Sequence, residues 1–395
     1  MLFWAIFILF LILLLTFRED KSFIHPTIVT CFIWLFCIVG YNIIDHDLYP
    51  LSDEFYGILL LWVVPFSLFC KISSIFVRIK KISLAHYRPD FVFSKWFILF
   101  FLFAPLITLI IKFKEVQTFG LYNGLYASIR DLAISRARGE EELPSRLFVF
   151  FNRFAAMSPV ICSIYLLNDF RKKYIWLFYL ITITYIFSGA NKGVLLHWFM
   201  AIIVILEYKG RLKFSQMLTL FSFVLIAVIL VEVFRASTDT GDFSFVNFLY
   251  SYLFSPLTAF DSFILHSGTD FQTSLKGGFV FGHFFNDEYP IYFDNNNFVY
   301  VPSPTNVFTV LCSYYASYGY WSVPFVASLY GSFWGYIYTS SKRQEVYKIL
   351  YASMFHILVF QFFYDYLITA GLKGNILTMI FLFFIMYPIF YKKKL

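Results

Sequence analysis

Apolar stretches long enough to cross a lipid bilayer follow one another through most of this 395-residue chain. No other feature constrains its fold as much. A hydrocarbon core of about 30 Å is crossed by roughly 17 to 25 mostly apolar residues in a helix, which satisfies its own backbone hydrogen bonds where water is absent. Eleven runs are expected to do so: Leu2–Phe17, Pro26–Ile43, Phe55–Cys70, Trp96–Ile111, Leu147–Leu167, Tyr174–Ser188, Val194–Tyr208, Gln216–Phe234, Tyr318–Tyr338, Leu350–Ala370 and Ile376–Tyr391. Composition agrees, because 60% apolar and 14% charged residues is not the balance of a water-soluble fold. The expected class is an all-α polytopic membrane protein, a single transmembrane domain over residues 1–395.

Lysine and arginine between the runs give the orientation, since cytoplasmic loops retain positive charge. Twenty of the 31 basic residues fall on one side, in sets that include Arg18 and Lys21, Lys71 to Lys95, Arg171 to Lys173, Lys342 to Lys348 and Lys392 to Lys394. That side is read as cytoplasmic, with the amino end outside and the carboxyl end inside. Met1 to Phe17 lacks a basic leader and a small-residue cleavage site, so it is read as a retained span. Cys31, Cys37, Cys70 and Cys162 lie within runs and Cys312 near an outer loop, which gives no disulfide framework and no metal-ligand spacing. The 55 Phe and 29 Tyr are lipid-facing bulk and interfacial anchors, with sugar stacking as a second use.

Two outer loops then stand out, residues 112–146 and 235–317. The second is rich in Gly, Pro and aromatic residues and is expected to be folded. Within it Phe245–Ser267 is apolar enough to form an interfacial helix or a twelfth, re-entrant span. Outer cations are biased to arginine: Arg130, Arg136, Arg138, Arg146, Arg153 and Arg235 stand against five lysines. A guanidinium fork suits phosphate oxygens, although Glu140 to Glu142 offer Arg136 and Arg138 a simpler ion pair. Arg153 is two turns inside its run and Arg146 is seven residues earlier, on nearly the same helix face. Either the pair clamps a diphosphate or both snorkel to headgroups. Arg235 closes the eighth run with Glu232 three residues before it, close enough to pair. Lys192 occupies a tight outer turn, against the charge rule.

Three stretches resemble the Wzy-type O-antigen polymerases, also called oligosaccharide repeat unit polymerases. Ser188-Gly189-Ala190-Asn191-Lys192-Gly193-Val194-Leu195-Leu196 resembles a Ser-Gly-x-Arg-Gly-x-Leu-Leu element, with Lys192 in place of Arg. Tyr250-Ser251-Tyr252, Ser255-Pro256-Leu257 and Ala259-Phe260 resemble a Tyr-rich segment ending in Pro-Leu-x-Ala-Phe. Pro304-Thr305-Asn306-Val307-Phe308, with Tyr314-Tyr315 and Tyr318-Gly319-Tyr320, resembles Pro-Thr-Asn-Val-Tyr followed by Tyr-Tyr-x-Asp-Phe-Gly, with Ser317 at the acidic position.

The resemblance implies a fold like the membrane-embedded lipid-linked-sugar glycosyltransferases and no metal or other cofactor. It implies a reaction outside the cytoplasmic face of a bacterial inner membrane. There, undecaprenyl-diphosphate oligosaccharides serve as donor and acceptor, with a chain-length regulator and a flippase as partners and no nucleic acid. The lipid diphosphate leaves, so cations should stabilise its charge; Arg235, Arg153, Arg146 and Lys192 are the expected ligands. The acceptor hydroxyl needs a base. Asp261 is the first candidate, followed by Glu232 and His283, with Asp287 and Glu288 on the same side. Asn306 either holds a sugar or caps the following helix, and Tyr250 and Tyr252 are expected sugar contacts. The rival readings are a flippase or other transporter, for which no internal repeat is visible, and an O-antigen ligase.

Overall fold

The computed structural model describes residues 1–79, 91–120, 144–156, 192–210, 252–265, 299–302, 307–368 and 372–386, with short pieces at 88–89, 128–129, 131–132, 135–136, 140–142, 222, 250, 304–305 and 391–392. Helices dominate: α1 (Leu2–Glu19), α2 (Pro26–Ile43), α3 (Asp53–Ile79), α4 (Phe91–Phe119), α5 (Arg146–Ala156), α6 (Lys192–Tyr208), α7 (Ser255–Leu265), α8 (Val310–Tyr318), α9 (Ser322–Ser341), α10 (Glu345–Val359) and α11 (Leu372–Ile380). Two short antiparallel ladders join β1 (Arg88–Pro89) to β4 (Tyr391–Lys392) and β2 (Val299–Tyr300) to β3 (Pro304–Thr305). Helices α1, α2 and α3 are each long and apolar enough to cross a membrane, and the chain is a membrane-embedded helical protein.

Expected and observed boundaries agree where local signals are strong. The Pro26–Ile43 run is α2 to the residue, because Pro26 occupies the first helical position, where a missing N–H costs nothing, and His25 caps it. The run expected over Phe55–Cys70 extends in α3 from Asp53 to Ile79, since the polar residues beyond Cys70 find partners on a neighbouring helix. The Tyr318–Tyr338 run is α9, but its Ser, Gly and Tyr residues leave it outside the set apolar enough to span on composition alone. The Leu350–Ala370 run is not one helix. α10 stops at Val359, a 3₁₀ turn follows over Phe360–Phe362, and the Asp365 carboxylate accepts from the Leu367 and Ile368 N–H groups at 3.0 and 3.3 Å. That local capture competes with helical hydrogen bonding. The Tyr174–Ser188 run lies outside the described residues, as does all of Gln216–Phe234 but Ser222.

Two compact units emerge. The first holds Met1–Ile82, Ser244–Arg343 and Ile357–Ile376, and its centre is the contact between α3 and α9. Gly331 and Gly335 of α9 lie directly on the α3 backbone. A Cβ at these positions would sit 2.1 Å from the Phe66 carbonyl oxygen and 2.3 Å from that of Cys70. Helix pairs in lipid gain little from apolar burial alone, so close approach across small residues and interhelical hydrogen bonds carry their association. Ser73 Oγ donates to the Ser332 carbonyl at 2.8 Å, and the Arg343 guanidinium reaches the Val77 and Arg78 carbonyls at 3.3 and 3.4 Å. α1 packs on α2 and α3 and leaves Phe3, Trp4, Phe7, Phe10, Leu14 and Leu15 exposed.

Basic residues gather at one end of this unit. Lys71 pairs with Glu19 at 2.6 Å. Asp20 accepts from Lys342 Nζ and, at 3.0 Å, from the Tyr338 hydroxyl, while His25 meets the Tyr338 ring edge to face. Burial opposes ionisation of Asp20, but the Lys342 ammonium and the Tyr338 hydroxyl hold its carboxyl below the usual range. Burial pushes the His25 imidazole down to about 4, and its Nδ1 accepts from the Thr27 N–H at 3.2 Å. At the opposite end the amino terminus pairs with Asp53 at 2.8 Å.

The second unit holds Ser83–Phe243, Gln344–His356 and Leu377–Leu395. In it α5 packs along α4 through Ala104, Ala155, Phe151 and Phe154. Arg136 pairs with Glu115 at 2.9 Å and donates from Nε to the Glu142 carbonyl at 2.9 Å, so its acidic partner is Glu115 and not the expected 140–142 run. His197 of α6 and His356 of α10 stack with ring centroids 3.6 Å apart.

Gly331→Ala and Gly335→Ala force α3 and α9 apart and are expected to destabilise by about 1 to 3 kcal/mol or more. Gly57→Ala has no neighbour within 4 Å and should stabilise α3 by roughly 0.5 to 1 kcal/mol. Melting temperatures of the detergent-solubilised variants check both. A pH dependence follows from His25: its pKa is depressed in the folded state, so its contribution is intact above the unfolded value of about 6.5 and is lost as pH falls toward 4. Asp20, also depressed, adds its loss below about 4. His25→Asn keeps a cap acceptor and should flatten the fall in thermal stability between pH 6.5 and 4, leaving the lower limb.

Candidate functional site

α7 begins at Ser255 with Pro256 inside its first turn, the position where proline is tolerated. Its residues Ser255 to Phe260 are all buried. They belong to one of the stretches that carry the family resemblance, and the structure packs them against another. α7 contacts β3 and α8; Phe260 and Phe263 meet the Tyr315 ring edge to face at 5.8 and 6.2 Å. Tyr315 in turn meets Tyr320 at 5.0 Å. Residues far apart in sequence thus form one wall in the first unit.

Asp261 projects from this helix and is 2% exposed. Its Oδ2 accepts from the Ser52 N–H at 2.9 Å and its Oδ1 from the Ser52 hydroxyl. Ser52 Oγ also accepts from the Phe55 N–H at 3.2 Å, capping the first turn of α3. Burial pushes the Asp261 carboxyl up, against the lowering effect of the two Ser52 bonds. A raised carboxyl is suited to general acid–base work. Both oxygens are nevertheless engaged, so a sugar hydroxyl reaches Asp261 only if Ser52 moves aside. Beside it the Tyr41 hydroxyl bonds to the Tyr49 carbonyl and lies 3.3 Å from Thr258 Oγ1. His46 packs on Tyr41 at 4.3 Å and bonds its carbonyl at 2.8 Å. Tyr250 and Leu253 flank the Tyr41, Leu48, Phe254 and Val301 cluster, and Tyr252 stacks on Phe363 at 6.0 Å. The two expected sugar-contact tyrosines are both half-buried.

Arg146 and Arg153 lie on α5 of the second unit, both exposed and with no ion-pair or hydrogen-bond partner among the described residues. They occupy the helix face turned away from Phe151 and Ala155, which pack on α4. Lys192 is the first residue of α6, and its side chain lies outside the described residues. Glu232, Arg235, His283, Asp287, Glu288 and Asn306 also lie outside them.

A second buried acid was not among the sequence candidates. Asp365, 1% exposed, accepts from the Tyr314 hydroxyl at 2.6 Å and from the Tyr330 hydroxyl, and the two hydroxyls are 2.7 Å apart. Trp62 stacks on Tyr314 at 5.9 Å and donates from Nε1 to Gln361 at 2.9 Å, and Gln361 Nε2 donates to Thr30 at 2.9 Å. The available signal was the pair of polar residues Gln361 and Asp365 inside an otherwise apolar stretch.

No protein-family model, curated protein or solved structure matches this chain.

Ser52→Ala removes a cap and one bond to Asp261 and should cost about 0.5 to 2 kcal/mol. Asp261→Ala strands the half-buried Ser52 donors and should cost about 1 to 3 kcal/mol. Denaturation midpoints of the purified variants measure both, and the double variant should cost less than the sum, because the two residues share one interaction.

Proposed function

We propose that the chain is an O-antigen polymerase, joining undecaprenyl-diphosphate-linked oligosaccharide repeat units by glycosyl transfer outside the cytoplasmic face of a bacterial inner membrane. The observation that carries this reading is the meeting of α7 with β3 and α8. Two of the three stretches that resemble the family form a common wall with a buried acid behind it. In the second unit, Arg146 and Arg153 are exposed and have no partner among the described residues, and paired guanidinium groups suit the charge of a lipid diphosphate. In this reading the chain crosses the membrane about eleven times, with the amino end periplasmic and the carboxyl end cytoplasmic. The fold is of the lipid-linked-sugar glycosyltransferase kind, and Arg235 and Lys192 complete the diphosphate site.

A transporter of the same lipid-linked unit is the second reading, favoured by the buried Asp365, since an ionisable group in an apolar bundle is usually functional. The two readings part on lipopolysaccharide banding after deletion of the gene. A lipid A core carrying a single repeat unit is the polymerase outcome, because ligation continues without elongation. Loss of all repeat units is the transporter or ligase outcome. Arg235→Ala should abolish chain elongation while the protein still inserts, and Arg138→Ala should be mild; equal tolerance of the two removes Arg235 from the diphosphate site.

A further inference from the structure

The second unit holds a buried cation that its neighbours leave uncompensated. We propose that Lys112, Arg136 and the first turn of α5 form a binding site for one phosphate group. Lys112 is 8% exposed and directly follows the apolar run expected over Trp96–Ile111. Its Nζ lies 5.7 Å from the centre of the Phe148 ring, and among the described residues it has no hydrogen bond or ion pair. The ring face offsets part of the charge, but an ammonium brings three N–H donors that a ring does not fill. The charges that act on Lys112 are those of Arg136 and Glu115, and Glu115 is already committed. Its Oε2 pairs with the Arg136 guanidinium at 2.9 Å and its Oε1 accepts from the Ser145 N–H at 3.2 Å. Two cations thus share one carboxylate in a partly buried setting, where an unpaired charge is costly.

The same place is the start of a helix. Ser145 caps α5: its Oγ accepts from the Phe148 N–H at 3.2 Å and its carbonyl from the Val149 N–H at 3.0 Å. The N–H groups of Arg146 and Leu147 have no partner among the described residues, and they lie at the end of the helix that carries partial positive charge. Such an end binds phosphate, and Lys112 reaches over the same first turn from α4. Arg136 adds further donors, because its bonds to Glu115 and Glu142 employ only Nη1 and Nε. Phe148 faces α4 and lies on the opposite side of α5 from the Arg146 and Arg153 side chains. The site is therefore distinct from that arginine face and stands whether or not the chain is a polymerase. Its ligand is a phosphate mono- or diester, held without any covalent step and supplied either by a phospholipid headgroup or by a soluble phosphate.

The melting temperature of the full chain, delipidated in maltoside detergent, tests it. One arm adds sodium phosphate at constant ionic strength, with chloride as the comparison. The other adds phosphatidylglycerol, with diacylglycerol, which lacks the phosphate, as the comparison. A saturable rise is expected with at least one phosphate probe and with neither comparison. Saturation by the free ion identifies a soluble phosphate as the ligand, and a rise with phosphatidylglycerol alone identifies a lipid headgroup. Lys112→Met keeps an apolar stem and removes the charge, so it should weaken the phosphate response about tenfold or more. Without phosphate the same variant should melt no lower than the parent, because the charge it lacks had no partner. Lys114→Met, two residues along α4 and exposed, should leave the response unchanged. Absence of a saturable rise with both probes, an undiminished response in Lys112→Met, or an equal loss in Lys114→Met would each overturn the proposal. So would a lowered melting temperature or a failure to fold in phosphate-free Lys112→Met, since either shows that the ammonium has a structural partner.

Discussion

The first unit depends on two helices touching backbone to backbone. Gly331 and Gly335 are four residues apart, as are Phe66 and Cys70, so α3 and α9 meet in register with no side chain between them. Nothing larger than hydrogen fits at either glycine. Within a bilayer, where a leucine gains little by leaving lipid for protein, such contact supplies dispersion and lets Ser73 reach a neighbouring carbonyl. It also fixes the other elements. α8 enters α9 through the Gly319–Trp321 turn, with Ser322 Oγ bonded to the Tyr314 carbonyl at 2.6 Å. The rotation of α9 that seats its glycines on α3 is the one that turns Tyr330 toward Asp365.

The two ends of this pair carry different chemistry. At the basic end the polar groups answer one another: Asp20 with Lys342, Glu19 with Lys71, and Arg343 with the final carbonyls of α3. Exposed pairs of this sort contribute little each, and their use is to finish helices whose last carbonyls have no internal partner. At the other end Ser52 both caps α3 and holds Asp261, so α7 is attached to the bundle through the helix start that most needs a partner. A carboxylate that serves as a structural latch and a carboxylate that accepts a substrate proton make opposing demands on one group. If Asp261 does both, opening of the Ser52 contact is the step that exposes it.

How much was legible in sequence follows from the range of each interaction. Pro26–Ile43 was readable to the residue because length, apolarity and an N-terminal proline are all local. The same signals placed α6 within two residues, whereas the apolar stretch expected over Phe245–Ser267 holds α7 only as Ser255–Leu265. The pairing of α3 with α9 was written as Gly331-Ser332-Phe333-Trp334-Gly335, but which helix would accept that stripe is a fact about residues 265 positions away. Asp261 could be named as a candidate acid from its expected side and its sequence neighbourhood. Its partner Ser52 could not, since no periodicity links a loop before one helix to the middle of another. Tyr250 and Tyr252 are half-buried, and how much of each ring packs on protein is not something a tyrosine-rich motif discloses. Glu232, Arg235, His283 and Asn306 rest on the sequence argument alone.

Asp365 is hidden in the sequence by the apolar residues around it. An apolar window averages over its residues, so one acid among many phenylalanines leaves the average high and the run is read as a continuous helix. The energetics weigh it differently. A single carboxylate in that environment must be paired, solvated or neutralised, and the chain around it is rearranged accordingly: α10 ends at Val359, the backbone turns, and two N–H groups are freed to bind the acid. Two phenols converge from α8 and α9 for the same purpose. The cost of the acid thus accounts for a broken helix, a turn and an aromatic cluster, three features that hydropathy alone treats as unrelated. In an apolar bundle the rare polar atom carries more structural information than the many apolar ones around it.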